Sequence, residues 1–299
     1  MDILIPEVLS KGKLKYSKGY ELTRLSAMRV GGESDYVAYP GSLKELLWIV
    51  RACNTLNIRY FLIGAGTNTL FLTDEFKGLI ISTRNINYIG FDGELFYAEC
   101  GAMLGNLLRF AAKRGFGGAE GLYHIPGTVG GALRSNAGAF GHQLEDILVD
   151  ADLYLPEFDK TVTYGNKSLR LAYRDSLIKH SDAVVMSLRF RLKPRAEDDI
   201  ISDVKAFGKR RLDTQPRGVS SLGSVFKRVD SVSAGYYIEK CGLKGYTVGG
   251  ASVSQKHAGF IVNHGNARWQ EVEELLCVIE SSVYRAFGIV LDKEIEVVR

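Results

Sequence analysis

The sequence predicts an α+β fold that is built from more than one subdomain. Short apolar segments typical of strands alternate with amphipathic segments typical of helices along the chain. The 299 residues exceed what one small core organises, and 46% of them are hydrophobic against 24% charged, as in ordinary folded proteins. The alternation therefore predicts an α+β fold class, and the length predicts two or three subdomains.

The first 115 residues contain strands and helices in regular alternation. A strand is predicted over 35–40, and a helix over 42–57 in which Ser42 and Glu45 form a capping box. The apolar face of this helix repeats at the helical period, through Leu43, Leu46, Leu47, Val50 and Cys53. Buried strands are predicted over 59–63, 78–82 and 96–100. A second helix is predicted over 102–115 and ends at Gly115.

The second half continues with strands and ends with a long helix. Strands are predicted over 147–155, 161–164 and 183–192, helices over 202–212 and 268–288, and a closing strand over 289–298. The polar segment KPRAEDD, residues 193–199, predicts a linker and a domain boundary near residue 195. Residues 1–20 have the basic, tyrosine-containing pattern of a surface helix and tail.

Charge and hydropathy exclude two classes of partner. The net charge is +4, from 38 basic and 34 acidic residues, which is too mild for a nucleic-acid-binding protein but suits a cleft for an anionic small molecule. The longest apolar runs, such as LLWIV at 46–50, are too short to span a bilayer, and the first residues lack the pattern of a signal peptide. We therefore expect no membrane association and a cytoplasmic location.

The cysteines and histidines indicate neither disulfides nor a metal site. The four cysteines include no CxxC pair, and Cys53 and Cys277, which fall in helical patterns, are predicted to be small buried hydrophobes. The five histidines form no HExxH motif and no paired Cys/His spacing. We expect no bound metal.

Two glycine-rich segments carry the first functional signal. HIPGTVGGALRSNAGAFG (124–141) places five glycines in residues 125–141, which is typical either of a crossover between sheet elements or of a loop whose main chain packs against a cofactor. LIGAGTNTLF (62–71) follows a predicted strand and has the small residues of an anion-binding nest, although it matches neither GxGxxG nor Walker A. A single loop of this type predicts only a plain tight turn. Two such loops in one domain favour binding of a pyrophosphate-linked dinucleotide without a Rossmann motif.

A longer series of motifs resembles one enzyme family. RVGGESDYVAYP, LIGAGTNTLF, GLYHIPGTVGGALRSNAGAFG, YRDS, TQPRGVSSLGSVFK, AGYYIEKCGLKGYTVGGASVSQKHAGFIVN and GIVLDKEI occur in the order found in UDP-N-acetylenolpyruvoylglucosamine reductases. These flavoenzymes make UDP-N-acetylmuramate for bacterial peptidoglycan. The resemblance runs from about residue 23 to the C-terminus, and the compact run from YRDS to GSVFK is similar to the short form that lacks an inserted substrate-covering loop.

The resemblance implies a cofactor and a domain plan. It implies an N-terminal extension (1–22), a two-lobed FAD-binding domain of the vanillyl-alcohol-oxidase type (23–195) and a smaller α+β substrate-binding domain (196–299). FAD would be bound non-covalently, with NADPH as co-substrate and the enolpyruvyl ether of UDP-N-acetylglucosamine as substrate. The implied cofactor-binding residues are Gly64, Ala65, Gly66, Thr67, Asn68, Thr69, Ile125, Pro126, Gly127, Thr128, Gly130 and Gly131.

The implied reaction adds a hydride to the terminal carbon of the enolpyruvyl double bond and a proton to its central carbon, and charge accumulates on the neighbouring carboxylate. By resemblance, Ser224 is the proton donor; the alternative is a serine that only completes a tight turn. A serine is a weak acid, and the nearby Lys227 is one candidate for the field that it requires.

Two further residues are assigned to catalysis by resemblance. Arg174 would pair with the substrate carboxylate; the alternative is a surface arginine that forms a salt bridge to Asp175. Glu294 would lie by the reacting carbon and assist protonation; period-two alternation otherwise predicts a solvent-facing carboxylate on the same strand face as Asp292 and Glu296.

The substrate-binding residues implied by the resemblance are Asn68, Tyr173, Arg174, Gln215, Lys227 and His257. The sequence departs from the family pattern at Arg228, where many relatives have asparagine, at Phe140, where tyrosine is usual, and at Tyr123 and His124, where Ala-Gly is common. None of these departures is at a catalytic position.

Two alternatives from other classes remain. One is another FAD-dependent oxidase or dehydrogenase that acts on an alcohol or sugar and needs neither Ser224 nor Glu294. The other is a non-catalytic flavin- or nucleotide-sugar-binding protein, which the presence of Arg174, Ser224 and Glu294 together disfavours. No obligatory protein partner is predicted.

Overall fold

The chain forms two compact units, each with its own core. The computed structural model describes residues 4–299. The first unit takes the chain up to Lys18 together with Tyr36–Ala65 and Lys77–Lys209, and the second takes Gly19–Asp35, Gly66–Phe76 and Arg210–Arg299. The domain boundaries expected from the sequence, at 22/23 and 195/196, stay a prediction.

The structure contains short strands and seven α-helices in its described part. The helices are α1 Leu4–Lys11, α2 Leu43–Thr55, α3 Leu104–Ala112, α4 Val129–Arg134, α5 Glu197–Thr214, α6 Ala234–Lys240 and α7 Trp269–Phe287. The strands up to residue 99 are β1 Tyr16–Glu21, β2 Glu33–Ala38, β3 Tyr60–Ile63, β4 Thr69–Phe71, β5 Glu75–Ser82, β6 Ile89–Phe91 and β7 Phe96–Glu99. The later strands are β8 Phe116–Gly117, β9 Gly138–Ala139, β10 His142–Gln143, β11 Leu148–Leu155, β12 Lys160–Gly165, β13 Val184–Phe190, β14 Lys193–Pro194, β15 Thr247–Val248, β16 Ala251–Val253, β17 Ile261–Asn263 and β18 Glu296–Val298. No helix within residues 4–299 has the length and apolar character needed to cross a membrane.

The first unit has two hydrophobic cores. An antiparallel sheet of order β12-β11-β13-β7-β6 packs its alternating apolar residues, such as Leu153 and Phe190, against Leu107 of α3 and Leu133 of α4. The second core joins α1 and α2 to the parallel pair β3 and β5. This parallel pairing delivers the chain from β3 directly into the first glycine-rich loop.

The second unit is organised by α7. Val272, Leu275, Leu276, Ile279 and Val283 repeat at the helical period and are buried against the antiparallel sheet β15-β16-β17 and the parallel pair β18–β4. Gly288 ends the helix in the left-handed conformation, at φ 68°. Cys277 lies off the apolar stripe and is exposed, so the prediction that it is buried was wrong, whereas Cys53 is buried as predicted.

The start of α2 differs in detail from the predicted capping box. Ser42 caps the helix as expected, because its hydroxyl accepts the Glu45 N–H at 3.2 Å. The Glu45 carboxylate instead accepts the Gly41 N–H at 2.8 Å. The returning bond therefore reaches one residue further back than in a capping box.

The predicted linker at 193–199 is part of the folded first unit. Lys193 and Pro194 form β14, which pairs with β8, and α5 begins at Glu197. Arg195 forms ion pairs with buried Glu120 at 2.7 Å and with Asp203 at 2.6 Å. A polar composition predicted a linker wrongly here, because the segment forms a paired strand and the start of a helix, and Arg195 is paired within the fold.

Both chain ends differ from their sequence-based descriptions. Near the N-terminus, the predicted helix is α1, whose Ile5, Val8 and Leu9 are buried in the second core of the first unit, whereas the predicted tail is wrong because Tyr16–Glu21 forms β1. Near the C-terminus, the predicted strand 289–298 is regular only at Glu296–Val298. Residues 292–294 are held instead by single backbone bonds to 225–227.

Candidate active site

The second glycine-rich segment begins with a tight turn into α4. Thr128 caps the helix through its hydroxyl, which accepts the Gly131 N–H at 3.2 Å. The Gly130 N–H donates to the Cys100 carbonyl at 3.0 Å, and a side chain at Gly130 would crowd that residue. Gly127, at φ 143°, adopts a conformation that L-residues rarely take.

The first glycine-rich loop reaches the second one within the first unit. A Cβ at Gly64 would clash with the hydroxyl of Thr128, so the first loop lies directly against the Thr128 side chain. In the second unit, Gly66 (φ 66°) similarly leaves no space for a Cβ against the Leu25 carbonyl. The glycines at 64, 66 and 130 therefore have packing roles, as the plain-turn interpretation of the first loop and the crossover interpretation of the second predict.

The same loops also provide donors for an anion, as FAD requires. Ala65 and Gly127 are half-buried, and within residues 4–299 their N–H groups donate to no other protein group. Backbone donors of this kind suit the pyrophosphate of a dinucleotide. The residues present at Gly64–Ala65 and Ile125–Gly131 thus fit the cofactor, and the packing role and the cofactor role of the glycines are compatible.

The loop continues into the second unit from Gly66. The Gly66 carbonyl accepts the Ala27 N–H at 2.9 Å, and Thr69 begins β4, whose partner is β18. Asn68, between them, bonds to Glu294, as described below. The predicted cofactor residues therefore divide between the two units at Ala65 and Gly66.

Arg174 lies at the tip of a tight turn in the first unit. Ala172 and Asp175 bond to each other in both directions, at 3.1 and 3.2 Å, with Tyr173 and Arg174 between them. Arg174 has φ 55°, and its guanidinium Nη2 donates to the Gly138 carbonyl at 2.7 Å. The Asp175 carboxylate pairs with His180 at 2.7 Å.

The arginine is thus held on the second glycine-rich segment. Its guanidinium also lies over the ring of Tyr173, 5.3 Å from the centroid, and Tyr173 is exposed. A left-handed arginine that is bonded to a backbone carbonyl is a constrained side chain, unlike an ordinary surface arginine.

Ser224, Glu294 and Asn68 lie in one network in the second unit. Gly223 (φ 82°) turns the chain into a short segment, where Ser224 pairs with Phe260. The Glu294 N–H donates to the Val225 carbonyl at 2.8 Å. The Asn68 amide donates to the Glu294 carbonyl at 3.2 Å. Three sequence-predicted residues that are up to 226 positions apart in the chain are therefore neighbours.

The remaining predicted substrate residues differ in whether backbone bonds connect their part of the chain to this network. The Val225 N–H donates to the backbone carbonyl of Gly259, which is two residues after His257. The Lys227 N–H donates to the backbone carbonyl of Asp292 at 2.8 Å. Gln215 follows α5 directly, and its N–H donates to Arg211. The chain next to His257 is thus bonded to the Ser224 segment, and Lys227 is part of that segment, whereas the backbone N–H of Gln215 bonds within the end of α5.

His257 has a defined donor and acceptor. Its Nδ1 accepts the Gly259 N–H at 3.0 Å, and its ring packs edge-on against Phe260. Burial lowers the pKa of His257 below the usual value of 6.5, so the ring is neutral at pH 7. The proton of the neutral ring is then on Nε2, which can donate to a substrate oxygen.

Asn136 is a candidate that its motif does not single out. Its side chain is completely buried and bonds to the base of the Arg174 turn. An asparagine between small residues carries no pattern that predicts burial.

The chain matches two protein families in succession. Residues 34–157 match the FAD binding domain, and residues 215–298 match the C-terminal domain of UDP-N-acetylenolpyruvoylglucosamine reductase. The second match includes Ser224 and Glu294. Together with the mixed helix and strand content, these matches confirm the predicted fold class.

Relatives cover nearly the whole chain. It is 39% identical to the UDP-N-acetylenolpyruvoylglucosamine reductase of Caldicellulosiruptor bescii over 96% of this chain and 92% of the relative. It is 33% identical to the Clostridioides difficile enzyme of the same name over 97% and 95%. The crystal structure of UDP-N-acetylenolpyruvylglucosamine reductase from Thermus caldophilus superposes with a TM-score of 0.81 at 28% identity, covering 96% of this chain and 99% of that one. The chain belongs to the UDP-N-acetylenolpyruvoylglucosamine reductase family.

Proposed function

We propose that this protein reduces the enolpyruvyl ether of UDP-N-acetylglucosamine to UDP-N-acetylmuramate, with Arg174, Ser224 and Glu294 as its catalytic residues. The observation that carries the assignment is the network in which Asn68 and the Val225 carbonyl hold the backbone of Glu294 next to the Ser224 segment. The residues at Gly64–Ala65 and Ile125–Gly131 would hold FAD, which when bound would provide hydride chemistry with NADPH as co-substrate. The protein's residues must bind the substrate, balance its charge and deliver one proton.

Arg174 acts on the substrate carboxylate. Negative charge spreads onto this group when the double bond accepts a hydride. A guanidinium stabilises that charge by donating two parallel hydrogen bonds to the carboxylate. The bond from Nη2 to Gly138 directs one edge of the guanidinium toward the protein, so the carboxylate approaches from another edge.

Ser224 and Glu294 complete the protonation. The Ser224 hydroxyl delivers a proton to the central carbon, and the Glu294 carboxylate assists that transfer from the neighbouring segment. Because Glu294 is held through its backbone N–H and carbonyl, these bonds fix its place without using the carboxylate.

Neutral His257 and cationic Lys227 are proposed to hold the nucleotide part of the substrate. The Nε2–H of His257 donates to an oxygen of the sugar or the diphosphate, and Lys227 supplies positive charge for the diphosphate. Tyr173 and Gln215 complete the proposed substrate-binding set. A location in the cytoplasm and the absence of an obligatory protein partner stay predictions.

The decisive assay separates this function from the other flavoenzyme activities. NADPH oxidation by the purified protein should depend on added enolpyruvyl nucleotide and yield UDP-N-acetylmuramate in equal amount. Oxidation of NADPH at the same rate with and without the nucleotide, or oxidation of alcohols or sugars with oxygen as acceptor, would favour an oxidase of the same cofactor fold. Failure to bind flavin would favour a non-catalytic protein.

A further inference from the structure

Asn136 is a completely buried amide whose hydrogen bonds join three chain segments. It follows α4 and has φ 40°, in the left-handed region that asparagine tolerates. Its Oδ1 accepts the Glu145 N–H at 3.1 Å. Its Nδ2 donates to the Ala172 carbonyl at 3.1 Å and to the Glu145 carboxylate at 3.3 Å.

The bond to Ala172 reaches the base of the turn that presents Arg174. Two positions further along the chain from Asn136, the Gly138 carbonyl accepts the Arg174 guanidinium at 2.7 Å. Residues 136–138 therefore bond both to the Ala172 carbonyl at the base of the turn and to the guanidinium of Arg174. On the other side of the turn, Ser176 donates to the Arg134 carbonyl at 2.8 Å.

This arrangement determines where the guanidinium is. An arginine side chain has many rotamers, and its turn has the unfavourable φ of 55°. Such a turn persists only if neighbouring groups hold it. The buried Asn136 amide provides a hold that excludes water, so its donors cannot be replaced by solvent.

We propose that Asn136 is a positioning residue for the reduction of the enolpyruvyl substrate. It holds the backbone at Ala172 so that Arg174 meets the substrate carboxylate in the geometry that stabilises developing charge. This inference rests on the function proposed above for Arg174. It predicts that loss of the amide donor impairs the step that uses Arg174 and spares the step that does not.

The test uses an isosteric change and its electrostatic repair. Asn136→Asp keeps an acceptor for the Glu145 N–H but removes the donor to Ala172, and it faces the Glu145 carboxylate with a second one. Adding Glu145→Gln removes this repulsion and lets the introduced amide donate to the new carboxylate, while the Ala172 carbonyl still lacks its amide donor. The double variant therefore separates the bond to the turn from general stability.

Three quantities are measured on the FAD-loaded enzyme. We expect the double variant to keep a melting temperature near that of the parent and a rate of flavin reduction by NADPH within about twofold. Flavin reoxidation by the enolpyruvyl nucleotide should slow by about 10- to 100-fold, the size of effect expected for a misplaced group. In an Arg174→Lys background the same change should add little, because both act through one group.

Asn166 offers a matched control. Its amide donates to the carbonyls of Glu145 at 2.9 Å and Leu148 at 2.8 Å, in the same region as Asn136. Asn166→Asp also removes two amide bonds, and it should lower the melting temperature without separating the two half-reactions.

The outcomes distinguish the inference from the proposed function. Reoxidation of the double variant at the parental rate, or equal loss in both half-reactions, would overturn the positioning role. If Arg174→Lys itself leaves reoxidation unchanged, the function proposed for Arg174 fails first. Should the aspartate variants not fold, Asn136→Ser, which removes the amide donor without adding charge, is measured in the same way.

Discussion

Asn68 holds the main chain at Glu294 and just after it through two hydrogen bonds. Its amide Nδ2 donates to the Glu294 carbonyl at 3.2 Å, and its own carbonyl accepts the Glu296 N–H at 2.8 Å. The third bond, from the Glu294 N–H to Val225, ties the glutamate to the neighbour of Ser224. Every one of these bonds uses the main chain of Glu294 or Glu296, so the carboxylate of Glu294 can be changed without removing them.

Glu294→Gln should therefore leave the fold intact and slow the chemistry. We expect reoxidation of the flavin by the enolpyruvyl nucleotide to fall by about 10²- to 10⁴-fold, the contribution of a group that assists proton transfer. Flavin reduction by NADPH should stay near the parental rate. Asp292→Asn, which neutralises an exposed carboxylate two residues earlier, is the matched control and should change neither rate. Stopped-flow absorbance of the flavin measures both steps.

Ser224→Ala should leave FAD binding and NADPH-driven reduction unchanged. If the hydroxyl supplies the final proton, as we propose, reoxidation should slow by roughly 10² to 10⁴. Ser224→Cys should retain more activity than alanine, since a thiol still delivers a proton. A turn serine would behave differently: alanine would cost a little stability and both rates would be kept. Reoxidation of Ser224→Ala at the parental rate removes Ser224 from the mechanism.

Arg174→Lys keeps the charge but loses the planar pair of donors. We expect substrate reduction to fall by at least about 10²-fold, with FAD content and flavin reduction near the parental values. Arg170→Lys is the control, because Arg170 is also left-handed, at φ 49°, but exposed. Equal losses in the two half-reactions of Arg174→Lys would show that this arginine supports the fold or the flavin instead.

His257 should make stability sensitive to acid. Burial lowers the pKa of His257 in the folded protein below the 6.5 of an unfolded histidine, so the unfolded chain binds more protons as the pH falls. The stability that the neutral ring contributes is thus complete above about pH 6.5 and is lost as the pH falls through the lower folded value. His257→Gln should flatten this part of the melting temperature profile between about pH 7.5 and 5. Parallel profiles for parent and variant would contradict the assignment.

The flavin should be bound without a covalent link. Backbone donors such as the N–H groups of Ala65 and Gly127 hold an anion reversibly, so acid precipitation should release a yellow supernatant. His124, beside the second glycine-rich segment, has its Nε2 within 3.0 Å of the Val204 carbonyl. Colour that stays with the precipitate would contradict this prediction and direct attention to that histidine.

Local patterns predicted the elements well where one residue period dominates. The face of α2, the Ser42 cap and the stop of α7 at Gly288 follow from helical spacing and from glycine's conformational freedom. The patterns were wrong where long-range contacts decide. Composition could not show that Arg195 meets Glu120, because that carboxylate lies far earlier in the chain.

The sequence by itself determined the fold class, the two glycine-rich loops and the family to which the chain belongs, because these depend on residue periods and on motifs that are contiguous in the chain. Only the tertiary structure decided that Gly64 meets Thr128, that Asn68 bonds to Glu294, and that Asn136 holds the turn of Arg174. The physical reason is that these contacts join residues that are 36 to 226 positions apart. Burial of polar groups requires partners, and only the folded chain specifies which partners are near.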